Sequence, residues 1–187
     1  SLQQKLLASN PSGNDFFGGG VDIAGDTAVV TARGEDTTAS SSGAVYVFER
    51  NGSTWTETQL FKQANPTIND TIREVAISGN VIVASSWYPD NFEGSAYVFT
   101  KSGGTYTQTQ ELKPNDRASG QNFGRSIAIE GDTLIVGANF GFHSSYPDGP
   151  GAVYVFKNSN GTWTQTQKIT ASDGSDGDEF GGTISLS

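Results

Sequence analysis

The chain has 187 residues and a formal net charge of −9, from 11 basic and 20 acidic residues. Such an acidic chain argues against nucleic acid as a partner, because binding to phosphates requires a cationic surface. No apolar run approaches the roughly 20 residues that a membrane-spanning helix needs, so we expect no membrane insertion. The chain contains no cysteine, which excludes disulfides and thiolate chemistry.

One pattern occurs three times along the chain. It covers residues 17–59, recurs in a weaker form at 71–110, and is clearest at 123–167. Phe180 begins a fourth copy, so the period is fifty-odd residues. Repetition at such a period is typical of stacked or radial arrays, whose units bury their faces against one another.

Each unit contains four predicted short strands, designated A to D in chain order. In the third unit these are Ser126–Glu130, Thr133–Ala138, Ala152–Phe156 and Thr162–Lys168. Glycine paired with Asp or Asn between the strands predicts two-residue hairpin turns, since these residues tolerate positive φ. Strands A to C are apolar at successive positions, which predicts that both faces of the sheet are covered. Strand D is polar apart from one aromatic residue, which is typical of an outer edge.

These strands predict an all-β fold, a β-propeller whose blades have four antiparallel strands with strand A innermost. A stacked solenoid is the alternative. Three blades are predicted to be complete, at residues 17–70, 71–122 and 123–179. Residues 1–16 would supply the outer strand of a preceding blade with its loop, and residues 180–187 strand A of a following blade. Propellers close with about four to eight blades, so the chain is either a segment of a longer propeller or a unit that joins other copies.

Three sequence elements of the third unit carry a family resemblance. They are Phe123-Gly124, Val136-Gly137-Ala138-Asn139 and Gly151-Ala152-Val153-Tyr154-Val155-Phe156. The pattern resembles the FG-GAP repeat, the unit of the integrin α-subunit β-propeller. The resemblance implies an extracellular or cell-surface module of a seven-bladed propeller that recognises proteins or glycans. The second unit departs from the family, because Thr71-Ile72 and Ala84-Ser85-Ser86 stand in the motif positions.

Calcium is the one cofactor that the family resemblance raises. Integrin-like blades carry Asp-rich calcium loops between strands A and B, but here Ala24–Asp26, Ser78–Asn80 and Glu130–Asp132 are too short to supply six to eight oxygen ligands. We therefore expect no family-type calcium site and no required cofactor. A calcium ion held by Asp173, Asp176 and Asp178, which lie in one loop, is a weaker expectation.

The B–C and D–A connections lie on one face of the predicted propeller, here called the loop face. Its B–C loops contain aromatic residues beside polar ones, which predicts a ligand-binding surface for a protein or a glycan. The candidate ligand-binding residues are Trp87, Tyr88, Asp90, Phe140, His143 and Tyr146. The alternative is that these aromatic residues only cover their own blades.

Polar residues also recur where the D–A loops begin and end. Asn10, Asn65, Asp116 and Asp173 begin the loops, and Asp15, Asn69, Gln121 and Asp178 end them. Side chains of this kind at corners usually accept hydrogen bonds from nearby backbone N–H groups.

Three Asn-x-Ser/Thr sequons are candidates for glycosylation in a secreted protein: Asn51, Asn69 and Asn160. Asn51 and Asn160 each precede a glycine, so both are also ordinary hairpin-turn residues.

The sequence favours a non-enzymatic extracellular interaction or adhesion module over three alternatives. A lectin would use Trp87, Tyr88 and Tyr146 as stacking platforms. An architectural subunit would assemble head to tail through the lone strands Leu2–Ala8 and Phe180–Ser187. A glycosidase has little support, because no pair of catalytic carboxylates is evident and the one histidine has no evident partner.

Overall fold

A computed structural model of the chain describes residues 4–66, 68–140 and 149–187, without the side chains of residues 89 and 90. Within these residues, twelve strands form three separate four-stranded antiparallel sheets, each with its strands in chain order. The predicted all-β fold of propeller blades is confirmed. The three sheets follow one another without closing into a ring.

The strands of blade 1 are β1 (Phe17–Ala24), β2 (Thr27–Ala32), β3 (Ala44–Asn51) and β4 (Thr54–Phe61). The strands of blade 2 are β5 (Glu74–Ser78), β6 (Val81–Ser86), β7 (Ser95–Ser102) and β8 (Thr105–Leu112). The strands of blade 3 are β9 (Phe123–Glu130), β10 (Thr133–Ala138), β11 (Ala152–Ser159) and β12 (Thr162–Ile169). One helical turn, α1 (Pro89–Phe92), lies in the B–C loop of blade 2. No helix in the described part of the chain is long and apolar enough to cross a membrane.

The apolar residues of strands A to C form the cores between neighbouring blades, as the continuous apolar runs predict. Val29 and Val47 of blade 1 pack with Ile77, Ile82 and other residues of blade 2 in one cluster. A second cluster joins blades 2 and 3. The remaining face of blade 1 is covered in part by Leu6 and Ala8 of the N-terminal segment. Burial of this apolar surface is the main favourable contribution to folding.

The phenylalanine that begins strand A packs against strand C of its own blade in blades 1 and 3. Phe123 is fully buried, and its ring lies 5.6 Å from Tyr154 and 6.0 Å from Phe156 in edge-to-face geometry. This geometry matches the quadrupoles of aromatic rings. Gly94 faces the same point from blade 2, and a Cβ there would collide with the backbone of Phe123. The glycine is therefore required by the close approach of two blades.

In blade 2, the residue at the motif position differs by one from the residue that the alignment of the three repeats predicts. The Ile72 N–H donates to the carbonyl of Ser42, just as the Phe123 N–H donates to that of Glu93. Ile72, and not Thr71, therefore takes the place of the motif phenylalanine. It follows that Asp70, and not Asn69, ends the second D–A loop, so the prediction for Asn69 was wrong. The alignment failed because no register shift is present between β5 and β6, whereas β1 and β9 each contain one.

The polar residues of strand D form repeated contacts between blades. Gln59 both donates to the Tyr106 carbonyl and accepts from the Tyr106 N–H, at 2.7 and 2.8 Å. Gln110 makes the same pair of bonds to Trp163, and Gln4 makes them to Trp55. Each glutamine therefore holds the backbone of the aromatic residue in the next strand D. We call these contacts the glutamine clamps.

A second kind of contact links strand D of each blade to the preceding loop. Glu57, Gln108 and Gln165 accept hydrogen bonds from the backbone N–H groups of Ser9, Ala64 and Asn115 in the preceding loop, at 2.7–2.9 Å. The recurring Thr-Gln-Thr-Gln sequence thus serves the contact between blades in addition to its expected place at an outer edge.

The two terminal segments contact the end blades without forming the paired strands that were predicted for them. Residues 4–8 contact blade 1 through the Gln4 clamp and the side chains of Leu6 and Ala8. At the other end, Phe180 forms a single bridge to Gly151, and residues 184–187 have no regular structure. A strand requires a partner strand, and none is present beside these segments in the described residues.

Candidate functional site

A cleft of about 680 Å³ opens on the loop face, near the inner strands of the three blades. Blade 1 supplies the start of β1 and Arg33, blade 2 the start of β5 and the residues after β6, and blade 3 Arg125. We call it the arginine cleft. Its lining residues are Phe16, Phe17, Gly18, Gly19, Arg33, Arg73, Glu74, Trp87, Tyr88 and Arg125.

The hairpin topology explains why these residues meet. Arg33 directly follows β2, while Arg73 directly precedes β5 and Arg125 lies near the start of β9. In an antiparallel blade, strand A starts at the end of the sheet where strand B finishes. Three successive blades therefore bring three of the five arginines of the chain to one place.

Each of three aromatic rings in the cleft has a guanidinium over it. Arg33 lies 4.4 Å from the ring centre of Phe16, and Arg73 lies 4.8 Å from that of Tyr88. Both Arg73 and Arg125 lie over Trp87, at 4.9 and 5.4 Å. Such contacts attract a cation to the electron-rich face of the ring.

The electrostatics of the cleft reflect its burial and its concentration of positive charge. Burial lowers the pKa of Arg73, Tyr88 opposes this, and repulsion from Arg33 and Arg125 lowers the pKa further. Burial likewise raises the pKa of Glu74, although Arg125 and Arg73 lower it in part. The guanidiniums are thus close enough to repel one another, and Glu74 is the only acidic residue among the lining residues.

Trp87 and Tyr88 are the predicted ligand-binding residues that the structure places in the cleft. Trp87 is only 3% exposed, and Tyr88 is half-buried with its ring 4.5 Å from that of Trp87. The ring of Trp87 therefore offers little open surface for stacking on a sugar. Its burial agrees with the alternative that these aromatic residues cover their own blade.

The other predicted ligand-binding residues are not brought into the cleft. Phe140 is half-buried in the B–C loop of blade 3, against Gly149, and is not among the lining residues. Asp90 lies in α1, and the prediction for its side chain falls outside the described part of the structure. His143 and Tyr146 also lie outside the described residues.

One carboxylate of the last D–A loop, that of Asp178, has a local partner. The Ser175 N–H donates to Asp178 at 2.7 Å, just as the Ser12 N–H donates to Asp15 at 2.6 Å. This confirms the expectation that residues ending the loops accept hydrogen bonds from nearby backbone. Asp173 and Asp176 are exposed. Among the described residues, no group of three or more His, Cys, Asp or Glu side chains is placed to hold a metal ion, and calcium at this loop stays a prediction.

The residues that begin two of the D–A loops hold a buried tyrosine of strand C. The Tyr46 hydroxyl donates to Asn10 Oδ1 at 2.7 Å, and burial raises the pKa of Tyr46 to about 12. Burial also raises the pKa of Tyr154, which interacts with Asp116 in the same way. These polar residues therefore position the blades.

Two carboxylates of blade 1 make structural contacts. Asp22, on strand A of blade 1, accepts hydrogen bonds from the N–H groups of Ile23 and Ile77, both at 2.8 Å. Glu35 is 1% exposed and pairs with Lys62. Burial raises the pKa of Glu35, but hydrogen bonds from Lys62 and Thr37 outweigh this effect, so the net shift is downward.

The three sequon asparagines Asn51, Asn69 and Asn160 are all exposed. Asn51 ends β3, and Asn160 lies in the hairpin turn between β11 and β12 with a φ of 52°. Their glycosylation stays a prediction.

The arginines are the part of the site that the sequence reasoning missed. Their signal was present, since Arg33, Arg73 and Arg125 each stand at the end of an inner strand on the loop face. The aromatic residues of the B–C loops gave the stronger signal in the sequence. Recognising the cluster requires knowledge of which strand ends meet across three blades.

Comparison with known proteins gives one family. A family model described as the FG-GAP repeat matches residues 1–48, 106–156 and 163–187, which make up more than half of the chain. No curated protein matches the chain. The unmatched residues 49–105 include most of blade 2, whose motif positions hold Ile72 and Ser85-Ser86 in place of the family residues. With its blades built around the matched motif, the chain belongs to the FG-GAP repeat family.

Proposed function

We propose that this chain is a non-enzymatic interaction module of an extracellular or cell-surface protein, and that it binds a protein ligand through the loop face. The arginine cleft is the observation that carries the proposal. It opens on the loop face and combines residues from three blades. Loops displayed on a rigid β scaffold are where binding residues concentrate.

The opposite face offers less to a ligand. Its A–B and C–D connections are two-residue turns in all three blades. Asp26 of one such turn is already paired with Arg50 at 2.6 Å. A flat face of short turns lacks the concave, desolvated pockets in which binding energy concentrates.

Non-enzymatic binding is supported by the structural roles of three carboxylates. Asp22, Glu35 and Asp116 all accept hydrogen bonds that hold loops or blades in place. Adhesion at a cell surface is the biological setting that the FG-GAP family suggests, and it is part of the proposal.

The proposal is tested by blocking one face at a time. Because the chain has no cysteine, a single cysteine can be introduced and labelled with a polyethylene glycol maleimide. Ser40→Cys places the label in a B–C loop, and the matched control Ser53→Cys places it in a C–D turn; both serines are exposed. Binding is measured with a displayed library of random peptides and with a glycan array.

The expected result is that peptide binding is lost only when Ser40→Cys carries the label. If peptide binding is lost only when Ser53→Cys carries the label, the use of the loop face is contradicted. Binding to glycans without binding to peptides would support the lectin alternative instead.

A further inference from the structure

The arginine cleft is a local concentration of positive charge on an acidic chain. Three of the five arginines line it, although the formal net charge is −9. Like charges held together in a partly buried site repel one another, because burial reduces their solvation and screening. Such an arrangement suggests that an opposite charge belongs in the cleft.

Six cations outside the cleft are paired with carboxylates in the described part of the chain. The pairs are Arg50–Asp26, Lys62–Glu35, Lys101–Glu49, Lys113–Glu111, Arg117–Glu93 and Lys168–Asp116. By contrast, no carboxylate lies within ion-pair distance of Arg33 or Arg73 in the parts of the chain that the structure describes. Arg33 contacts the ring of Phe16, and Arg73 contacts Trp87 and Tyr88.

Arg73 also carries a buried donor that has no acceptor. Its Nε atom is buried and forms no hydrogen bond with the described residues, while one Nη2 hydrogen bond reaches the Tyr88 hydroxyl at 3.4 Å. A buried donor without an acceptor costs free energy. An arginine presents its donors in a planar fork, which matches the two oxygens of a carboxylate.

The cleft fits an acidic side chain of a protein better than an acidic sugar. The rings of Phe16, Trp87 and Tyr88 each have a guanidinium over them, so stacking on a sugar would compete with these contacts. Gly18 and Gly19 line the cleft and are exposed, which leaves a stretch without side chains where an extended peptide can approach the backbone.

We propose that the arginine cleft is a recognition site for an Asp or Glu side chain of a protein partner, which Arg73 binds together with Arg33 and Arg125. This inference rests on the proposed function, because it names the chemistry of the ligand on the same face. The acidic side chain would bind between the guanidiniums and accept the hydrogen bonds that Arg73 lacks.

The test begins with selection of a displayed library of random peptides on the wild-type protein, followed by affinity measurement with one selected peptide. The same measurement is made for Arg73→Gln and Arg33→Gln. The matched control is Arg50→Gln, which removes the same charge but lies on the opposite face. Arg33→Gln guards against loss of folding, because the ring that Arg33 lies over, that of Phe16, is 54% exposed. Thermal unfolding of each variant checks the fold.

We expect the selected peptides to be enriched in Asp or Glu. Arg73→Gln should weaken their binding at least about tenfold, while Arg50→Gln should leave it within about twofold. Changing the acidic residue of the peptide to Asn or Gln should lower its affinity for the wild-type protein by the same factor. The same change should lower the affinity for Arg73→Gln little further.

Three outcomes would overturn the inference, and each affects the proposed function differently. Selected peptides without acidic residues, bound equally by Arg73→Gln, would remove the acidic ligand and leave a protein-binding loop face. Arginine-dependent binding of oligogalacturonate without binding of peptides would assign the cleft to an acidic glycan. If the protein binds neither the displayed peptides nor oligogalacturonate, the proposed function itself is contradicted.

Discussion

Glu74 shows at the scale of one residue how the arginine cleft depends on pH. Burial raises its pKa above the ordinary value of 4.5, and Arg125 and Arg73 offset this only in part. A carboxyl group with a raised pKa binds its proton more tightly in the folded state. The Glu74 carboxyl group therefore contributes fully to the free energy of unfolding when the pH is below its ordinary pKa. This contribution is lost as the pH rises through the pKa that the group has in the folded state.

The substitution Glu74→Gln should make the protein more stable at neutral pH. Glutamine keeps the shape of the side chain and removes the charge that burial disfavours. We expect the variant to exceed the wild type in the free energy of unfolding at about pH 7 and to match it at about pH 4. Urea unfolding at the two pH values measures the difference.

The matched control is Glu130→Gln, at the exposed end of β9, where removal of the charge should have little effect at either pH. A Glu74→Gln variant that is less stable than the wild type at neutral pH would show that attraction to Arg73 and Arg125 outweighs burial.

The candidate site was predictable in its location and not in its chemistry. The aromatic residues after β6 drew the prediction to the loop face, where Trp87 and Tyr88 line the arginine cleft; that a ligand binds there stays a prediction. Their partners Arg73 and Arg125 begin the inner strands of two different blades, at sequence distances that carry no local signal. The sequence shows the composition of each loop, whereas the cleft arises from how three loops are brought together.

Strand D shows at the scale of an element why a repeated polar sequence persists. Its glutamines hold the backbone of the neighbouring blade through two hydrogen bonds each, in the glutamine clamps. A polar edge was predictable, because Thr, Gln and Glu residues alternate along most of strand D in each blade. The clamps were not, since the two partners are separated by about one repeat and neither shows the contact in its own sequence.

The substitution Gln59→Ala should open the outer edge between blades 1 and 2. It removes both hydrogen bonds to Tyr106, each contributing about 0.5–1.5 kcal/mol. We expect a loss of about 1–3 kcal/mol in the free energy of unfolding and faster hydrogen exchange at the Tyr106 amide. Urea unfolding and exchange measured by NMR provide the two readouts.

Thr58→Ala is the control for this change, because Thr58 lies on the same strand and is exposed. It should leave the exchange of the Tyr106 amide unchanged. Equal exchange in Gln59→Ala and the wild type would mean that packing alone holds the two blades together.

At the scale of the whole molecule, the outer face of blade 1 exposes apolar side chains. Val21 and Ile23 on β1 are 67% and 57% exposed. Asp22 between them accepts a hydrogen bond from blade 2, so its two neighbours point to the other side of the sheet. The successive blades cover one another's faces, and this face is where a further blade or a second copy would pack.

Association of the chain through this face should depend on concentration. We expect self-association in sedimentation velocity, reduced in the double variant Val21→Thr and Ile23→Thr, which keeps β-branched side chains while removing apolar surface. Ile68→Thr is the control, because Ile68 is 69% exposed in a D–A loop away from β1. A monomer at every concentration would contradict assembly of copies and favour further blades as the cover.

The glutamine clamps have a consequence for how such chains evolve. Each clamp recognises a main chain, so Trp55, Tyr106 and Trp163 are bound alike whatever their side chains. A repeat can therefore be duplicated, deleted or exchanged for another without a compensating substitution at the clamped aromatic residue. The loops of each copy can then diversify, while the same glutamine clamp connects one copy to the next.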